Sequence, residues 1–374
     1  MKNEKVQNIA RAQRHEAVHE VAVLGATGMV GRRLVGLLMN HPYFRVTRVV
    51  GSGARTGELY RAVWEQKERE LQQHYGPFWK EHRPPEAIDG MRVSSFEELL
   101  DSPCPVVFSS IPTRAGEFEE KLVQDGRLVF SNSPHRRFDP DVALVVAEVN
   151  GNKAANTRFV KNPNCVTSGL LLVLAPLAAK YGLREVVVTT YQSLSGRGDR
   201  KYDLDMVLGN IYPLHKSPEN TEEYIWKEVK TIMGDSFRLS VTCNRTCVQE
   251  GHFVEVRIKT QAAITAIDEV EETLSNFNPL GHLKLHSSPD APIVVLKEKG
   301  RPRPQQDAHY FGGMAVAVGN VTTDDEVFDL RLTFVVNNLI RGAAGGALLN
   351  AEFWHAANFS LAAAAVESES LYVR

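Results

Sequence analysis

Cys165 follows Asn162-Pro163-Asn164 and opens the run Val166-Thr167-Ser168-Gly169, after which the chain stays apolar to Lys180. That pattern places a thiol on the first turn of an expected helix. Unpaired backbone N–H groups and the positive end of the helix dipole favour thiolate there, so the position suits a nucleophile that forms a covalent intermediate. It equally suits an inert residue, because free cysteine is among the most buried residue types. A nucleophile needs a base, and His252 stands just before the strand-like segment Phe253–Lys259, where a rigid element could hold it. Taken alone, a histidine so placed is more often a satisfied core or surface residue.

The elements around these residues fall into two patterns. Glu20–Leu24 is a β-branched run that feeds directly into Gly25-Ala26-Thr27-Gly28-Met29-Val30-Gly31 and an amphipathic segment ending near Met39. Strand, glycine turn and helix in that order allow a tight turn, close backbone approach to a pyrophosphate, and phosphates at the helix N-terminus. Gly25, Gly28 and Gly31 carry that geometry, with Thr27, Met29 and Val30 in the same loop; a glycine turn without a ligand is the alternative. The next strand, Phe44–Val50, leads to Gly51-Ser52-Gly53-Ala54-Arg55-Thr56-Gly57 and offers no acid to a ribose 2′-hydroxyl. Ser52, Arg55 and Thr56 suit a 2′-phosphate, which favours NADP over NAD unless Arg55 is simply a surface residue.

Residues 61–88, rich in Lys, Glu, Gln and Trp and broken by Pro77 and Pro84-Pro85, read as an insertion covering or flanking this unit. A strand at Val106–Phe108, a helix over Arg114–Val123 and a strand at Arg127–Ser131 continue the alternation, so the first part is expected to be a doubly wound parallel sheet. Ser109, at the carboxyl end of its strand, is where a ligand contact belongs. Beyond Cys165 the strands lengthen, at 183–192, 238–244, 253–259 and 329–336, which predicts a mainly antiparallel sheet with helices on one face. The fold class is therefore α/β, a Rossmann-like sheet followed by an α+β unit.

With 374 residues the chain accommodates two domains, and 43 basic against 45 acidic residues argue against a nucleic-acid partner. Cys104, Cys165, Cys243 and Cys247 form neither a CxxC nor a Cys/His cluster, so neither a disulfide scaffold nor a metal site is expected. Residues 1–18 read as a charged tail without the apolar centre of a signal peptide, and no apolar run reaches the roughly 18 to 20 residues of a membrane span. A cytoplasmic protein without membrane contact is expected.

GATGMVG at 25–31, SNSPHRRFDPDVALVVAEVN at 131–150, NPNCVTSG at 162–169, YQSLSGRG at 191–198, CNRTCVQEGH at 243–252 and NNLIRGAAGG at 337–346 occur in this order. The ordered set resembles the aspartate-β-semialdehyde dehydrogenase family of archaeal and fungal type. The resemblance implies an NADP-binding domain over 19–160 completed by 337–374, a catalytic and dimerisation domain over 161–336, and a homodimer or homotetramer. It implies reduction of L-aspartyl phosphate by NADPH through a thioester on Cys165, with His252 moving the proton and Gln192 holding the histidine or the carbonyl. Backbone N–H groups near Cys165 would receive the oxyanion. Arg245 matches the arginine for the substrate carboxylate and Arg137 the one for phosphate, with Asn132 in the same turn. Ser195, Gly196 and Asn338 fall where the family meets the cofactor.

Two departures stand out. Where the family reads Gly-Glu-Glu-Glu-Lys, this chain has Thr221-Glu222-Glu223-Tyr224, keeping acids for a substrate ammonium but losing the lysine for phosphate. Where the family has Arg-Val-Pro-Val before an acid and glycine, this chain has Arg245-Thr246-Cys247-Val248-Gln249-Glu250-Gly251. Malonyl-CoA reductase, which shares SNSP, RFDPDV and QSLSG, is thus a second expectation, and an NADP-binding regulatory relative without turnover a third. Glu222 and Glu223 favour the amino acid substrate.

Overall fold

The computed structural model describes residues 18–217, 219–323 and 326–359. Most of the expected charged tail and the last fifteen residues of the expected C-terminal complement lie outside them. The β-branched run forms β1 (His19–Leu24), whose Val21, Ala22 and Val23 are all buried, as a strand covered on both faces requires. After it come α1 (Met29–Leu38), β2 (Phe44–Val50), α2 (Tyr60–Tyr75), β3 (Val93–Ser94), β4 (Val106–Ser109), α3 (Glu117–Gln124), β5 (Leu128–Ser131), β6 (Ala143–Leu144) and β7 (Phe159–Lys161). The seven strands form one sheet in the order β3-β2-β1-β4-β5-β7-β6, and every pairing is parallel. The order reverses between β1 and β4, so the crevice at the carboxyl ends of those strands, where Gly25 and Ser109 lie, is where such sheets hold ligands.

From the first sheet α4 (Cys165–Tyr181) leads to the second. It is apolar all round, with Val166 to Leu177 buried, and it stops at Gly182, whose φ of 64° suits glycine. The second sheet contains β8 (Leu183–Gln192), β9 (Tyr212–Pro213), β10 (Arg238–Arg245), β11 (His252–Thr260), β12 (Ile293–Leu296), β13 (Val316–Thr322) and β14 (Leu330–Val336). Its order is β12-β13-β14-β11-β8-β10-β9. It is mixed and mostly antiparallel, because β8–β10 and β12–β13 run parallel. Helix α4, α5 (Thr221–Met233) and α6 (Ile267–Ser275) cover one face and share its core. On the other face Val187, Thr189 and Tyr191 of β8 stay half-exposed.

Helix α7 (Gly345–Phe359) returns to the first sheet. Leu348 and Ala351 pack with Val21, Val23, Phe108 and Phe130, and Asn350 Nδ2 donates to the Val145 carbonyl at 3.0 Å.

The segment 61–88, expected to cover or flank the first unit, also ties it to the second. Tyr75 of α2 and Trp79 pack with Met29 from the first unit and with Leu194, Tyr202 and Leu339 from the second. A second tie runs through Glu250, which meets Arg33 of α1 at 2.9 Å and His82 at 2.6 Å. Burial raises the Glu250 pKa, but the hydrogen bond with His82 and the Arg33 charge overcome it and hold the carboxyl at about 2. The stabilisation is therefore present above the ordinary value of 4.5 and is lost as pH falls towards about 2. Glu250→Gln should cost roughly 3 kcal/mol at pH 7 by leaving Arg33 buried and unpaired. In denaturant titrations the difference from wild type should shrink towards pH 3; a pH-independent gap would mean that the pair is not its source.

Candidate active site

Asn164 caps α4 by accepting the Val166 N–H at 2.9 Å, so Cys165 is the first helical residue. Its Sγ lies 3.0 Å from Nε2 of His252, the buried first residue of β11. The register of β11 on β8 sets this meeting, because Phe253 pairs with Tyr191 and so brings His252 beside the residues that follow β8. Ser193 donates its N–H to His252 Nδ1 at 3.0 Å, and its Oγ is 3.1 Å from the same nitrogen. Close approach also demands two glycines. A Cβ on Gly196 would stand 2.6 Å from Arg245 Nη1, and one on Gly342 would stand 2.5 Å from Cys165 Cβ. Gly342 sits in a wide π-type turn, Ile340–Ala344, that brings this backbone against the thiol.

Burial pushes the Cys165 thiol up to about 11, although the Arg245 charge and the N–H groups of Val166 and Cys165 itself pull the other way. Burial, and then the Arg245 charge, hold His252 well below its ordinary value. The pair is thus a neutral thiol beside a neutral imidazole. Burial thus opposes the thiolate that the helix start favours.

Two further arginines are buried, Arg245 beside the pair and Arg137 linked through Glu228 to the start of α4. Arg245 is fully buried; its Nε donates to Tyr202 Oη at 2.8 Å, its Nη1 to the Ser193 carbonyl at 2.8 Å, and its Nη2 pairs with Glu219. Arg137 donates to Glu228 Oε1 at 2.7 Å and to the Asn132 carbonyl at 2.7 Å, with the Tyr224 ring 5.8 Å away. Its Nε is buried without a hydrogen-bond partner. Glu228 also accepts the Asn164 N–H at 2.8 Å and the Thr167 hydroxyl at 2.5 Å, which ties Arg137 to the start of α4. Asn132 Nδ2 donates to Ser110 Oγ at 3.3 Å, and its Oδ1 accepts from Asn162 at 3.2 Å.

Gln192, Glu222 and Glu223 each have partners within the protein. Gln192 is buried and donates to Thr190 Oγ1 at 3.2 Å, while Ser193 holds the histidine. Glu222 accepts the Cys243 N–H at 3.0 Å and meets His215 at 2.8 Å, and Glu223 meets Lys227 at 2.5 Å. The acids beside the arginines are Glu219 and Glu228. Glu228 had a signal in the sequence, as an acid on the apolar stripe Ile225, Glu228, Val229, Ile232 of α5. Glu219, in the loop before that helix, had none.

In the crevice of the first sheet, Gly25 has φ +79°, and a Cβ on Gly31 would stand 2.1 Å from the Gly25 carbonyl oxygen. Thr27 offers its carbonyl to Arg32 at 2.8 Å, and Val30 is half-buried. Gly28 caps α1 without a side chain, and the Met29 N–H donates to Asp199 at 3.1 Å. Arg32 reaches the same carboxylate at 3.1 Å. The Ser109 hydroxyl is buried with no hydrogen-bond partner. Ser52 and Thr56 bracket a turn after β2, where Arg55 donates to Gln66 at 2.8 Å. Asn338 donates to Ser195 Oγ at 2.9 Å.

Residues 20–157 match the family described as semialdehyde dehydrogenase, NAD binding domain, and residues 174–341 match semialdehyde dehydrogenase, dimerisation domain. The chain is 33% identical over 355 residues to the aspartate-semialdehyde dehydrogenase of Methanothermobacter thermautotrophicus, covering 89% of this chain and 97% of that one. The chain belongs to the semialdehyde dehydrogenase family. It is therefore an oxidoreductase with an NAD-type binding domain. The structure of this semialdehyde dehydrogenase is similar to that of aspartate semialdehyde dehydrogenase with NADP from Candida albicans, with a TM-score of 0.76, 27% identity, and coverage of 90% and 98% of the two chains. The chain is also 31% identical over 360 residues to a malonyl CoA reductase (NADP) of Metallosphaera sedula, covering 89% and 96%. Among the described residues no helix is long and apolar enough to cross a membrane, and no cluster of three or more His, Cys, Asp or Glu could hold a metal.

Proposed function

We propose that this semialdehyde dehydrogenase reduces L-aspartyl phosphate to L-aspartate-β-semialdehyde with NADPH, through a thioester on Cys165. The observation that carries the reading is the sulfur–imidazole contact of 3.0 Å beside the buried Arg245. His252 Nε2 takes the thiol proton as sulfur attacks the acyl carbon, and phosphate leaves. NADPH, when bound, supplies the hydride that the thioester carbon receives. The sulfur is then expelled as the aldehyde forms, and it recovers its proton from His252.

Arg245 and Glu219 side by side present opposite charges, a guanidinium for an α-carboxylate and a carboxylate for an α-ammonium. Malonyl-CoA offers a carboxylate but no ammonium, which would leave Glu219 opposing it, so the pair favours the amino acid substrate. Arg137, with its unpartnered Nε, is the candidate for the phosphate. Phosphate-dependent reduction of NADP with L-aspartate-β-semialdehyde is the expected result. Malonyl-CoA-dependent oxidation of NADPH without response to the semialdehyde would overturn the substrate.

The crevice residues fit the cofactor. A carboxylate, Asp199, is seated at the N-terminus of α1, so this helix end accepts an anion where the pyrophosphate belongs. Gly25, Gly28 and Gly31 let a ligand approach, and Ser52, Arg55 and Thr56, with no acid within Gly51–Gly57, suit a 2′-phosphate that would compete with Glu58 for Arg55. Because Asp199 competes for the same N–H, Asp199→Ala should tighten NADP binding about tenfold by calorimetry, some 1.4 kcal/mol. Unchanged or weaker affinity would mean that the carboxylate does not hold that seat.

The half-exposed sheet face around Val187, Thr189 and Tyr191 is the proposed contact between two copies of the chain, as befits a chain matching the family's dimerisation domain. Thr189→Arg should lower the mass measured by light scattering, and an unchanged mass would place the contact elsewhere.

A further inference from the structure

We propose that Ser193, its hydroxyl directed by Asn338, is a positioning residue that holds the hydrogen of neutral His252 on Nδ1, so that Nε2 is bare and takes the thiol proton of Cys165. The inference rests on the proposed thioester chemistry only in requiring Cys165 and His252 to exchange a proton. For Nε2 to accept the thiol proton it must be bare, so a neutral His252 must carry its hydrogen on Nδ1. That form needs an acceptor at Nδ1. Two groups of Ser193 face this nitrogen with opposite character. The N–H, at 3.0 Å, can only donate and so stabilises a bare Nδ1 with hydrogen on Nε2. The Oγ, at 3.1 Å, accepts from Nδ1–H if its own proton is directed elsewhere.

Asn338 directs it. Gly251 N–H donates to Asn338 Oδ1 at 3.0 Å, which orients the amide with its oxygen towards Ser193 and its nitrogen donating to Ser195 Oγ at 2.9 Å. The Ser193 hydroxyl then gives its proton to that same Oδ1 at 2.9 Å and keeps lone pairs for Nδ1–H. Ser193, Asn338 and His252 are all buried, so the arrangement does not depend on exchangeable solvent. The charged and titratable groups facing His252 are Cys165 from α4 and Arg245 from β10. Once Nε2 takes the thiol proton the ring carries hydrogen on both nitrogens, with the Ser193 hydroxyl oxygen accepting from Nδ1–H and the new thiolate facing Nε2–H.

The test uses the cofactor-free full chain and the working enzyme. Ser193→Ala should lower kcat roughly 10- to 100-fold with little change in KM. It should also move the pH profile of Cys165 alkylation by iodoacetamide to higher pH, and Ser193→Thr, which retains the hydroxyl, should restore both. Wild-type kcat and an unshifted alkylation profile in Ser193→Ala would overturn the proposal. On the unmutated protein, nitrogen-15 spectra of labelled histidine should report the neutral His252 ring with its hydrogen on Nδ1. A His252 locked in the Nε2–H form at every pH would overturn it as well. Alkylation and tautomer do not depend on substrate identity, so a wrong substrate assignment would leave both results intact.

Discussion

Cys165→Ser should lower turnover by about four orders of magnitude or more while leaving NADP affinity within about twofold of wild type. A hydroxyl in the same place is a far weaker nucleophile, and its proton is much harder to remove than that of a thiol pushed up to about 11. The cofactor side is spared because the glycine turn and the end of β2 belong to the other sheet. Single-turnover absorbance at the reduced nicotinamide and calorimetric binding separate the two effects. Retention of a tenth of wild-type turnover would defeat the thioester. The neutral thiol–imidazole pair has a companion consequence. In the free protein, Cys165 should alkylate slowly at pH 7 and faster as pH rises towards about 11. A fast, pH-flat reaction would mean that the helix end prevails over burial after all.

His252→Asn should lower kcat roughly 10²- to 10⁴-fold, the range for loss of a positioned acid–base group. Asparagine retains a polar side chain of similar reach but cannot carry the proton from sulfur. The variant should also respond differently to acid. Because burial holds folded His252 well below 6.5, the unfolded chain takes up a proton below that value which the folded chain refuses. Wild-type stability should therefore fall as pH drops below about 6.5, and His252→Asn should lack that part of the fall. Denaturant midpoints at pH 7.5 and 5.5 measure it. A variant with wild-type kcat, or with an unchanged loss of stability between those two pH values, would remove His252 from its assigned role.

Local signals announced most of the first sheet. The glycine turn after β1 and the β-branched runs of β2 and β4 depend on near neighbours, and all of their pairings are parallel as expected. The second sheet was legible as long strands, but the parallel pairs β8–β10 and β12–β13 were not, because sheet order rests on contacts between distant segments. Segment 61–88 reads from its composition as an insertion covering or flanking the first unit. Its aromatic residues Tyr75 and Trp79 are buried between units, which composition cannot distinguish from exposure.

The residue types that can do chemistry, and the helix start that presents Cys165, were determined by the sequence itself, because capping by Asn164 and an all-apolar helix are local properties. Tertiary structure decided the company that Cys165 keeps and the charge it carries. Ser193 faces the histidine while Gln192 meets Thr190, and the acids that meet the arginines are Glu219 and Glu228. Each outcome turns on which side of a strand or helix a residue faces once the sheets are assembled. The thiol is neutral for the same reason: desolvation is set by everything packed around it, and a motif of four residues does not contain it.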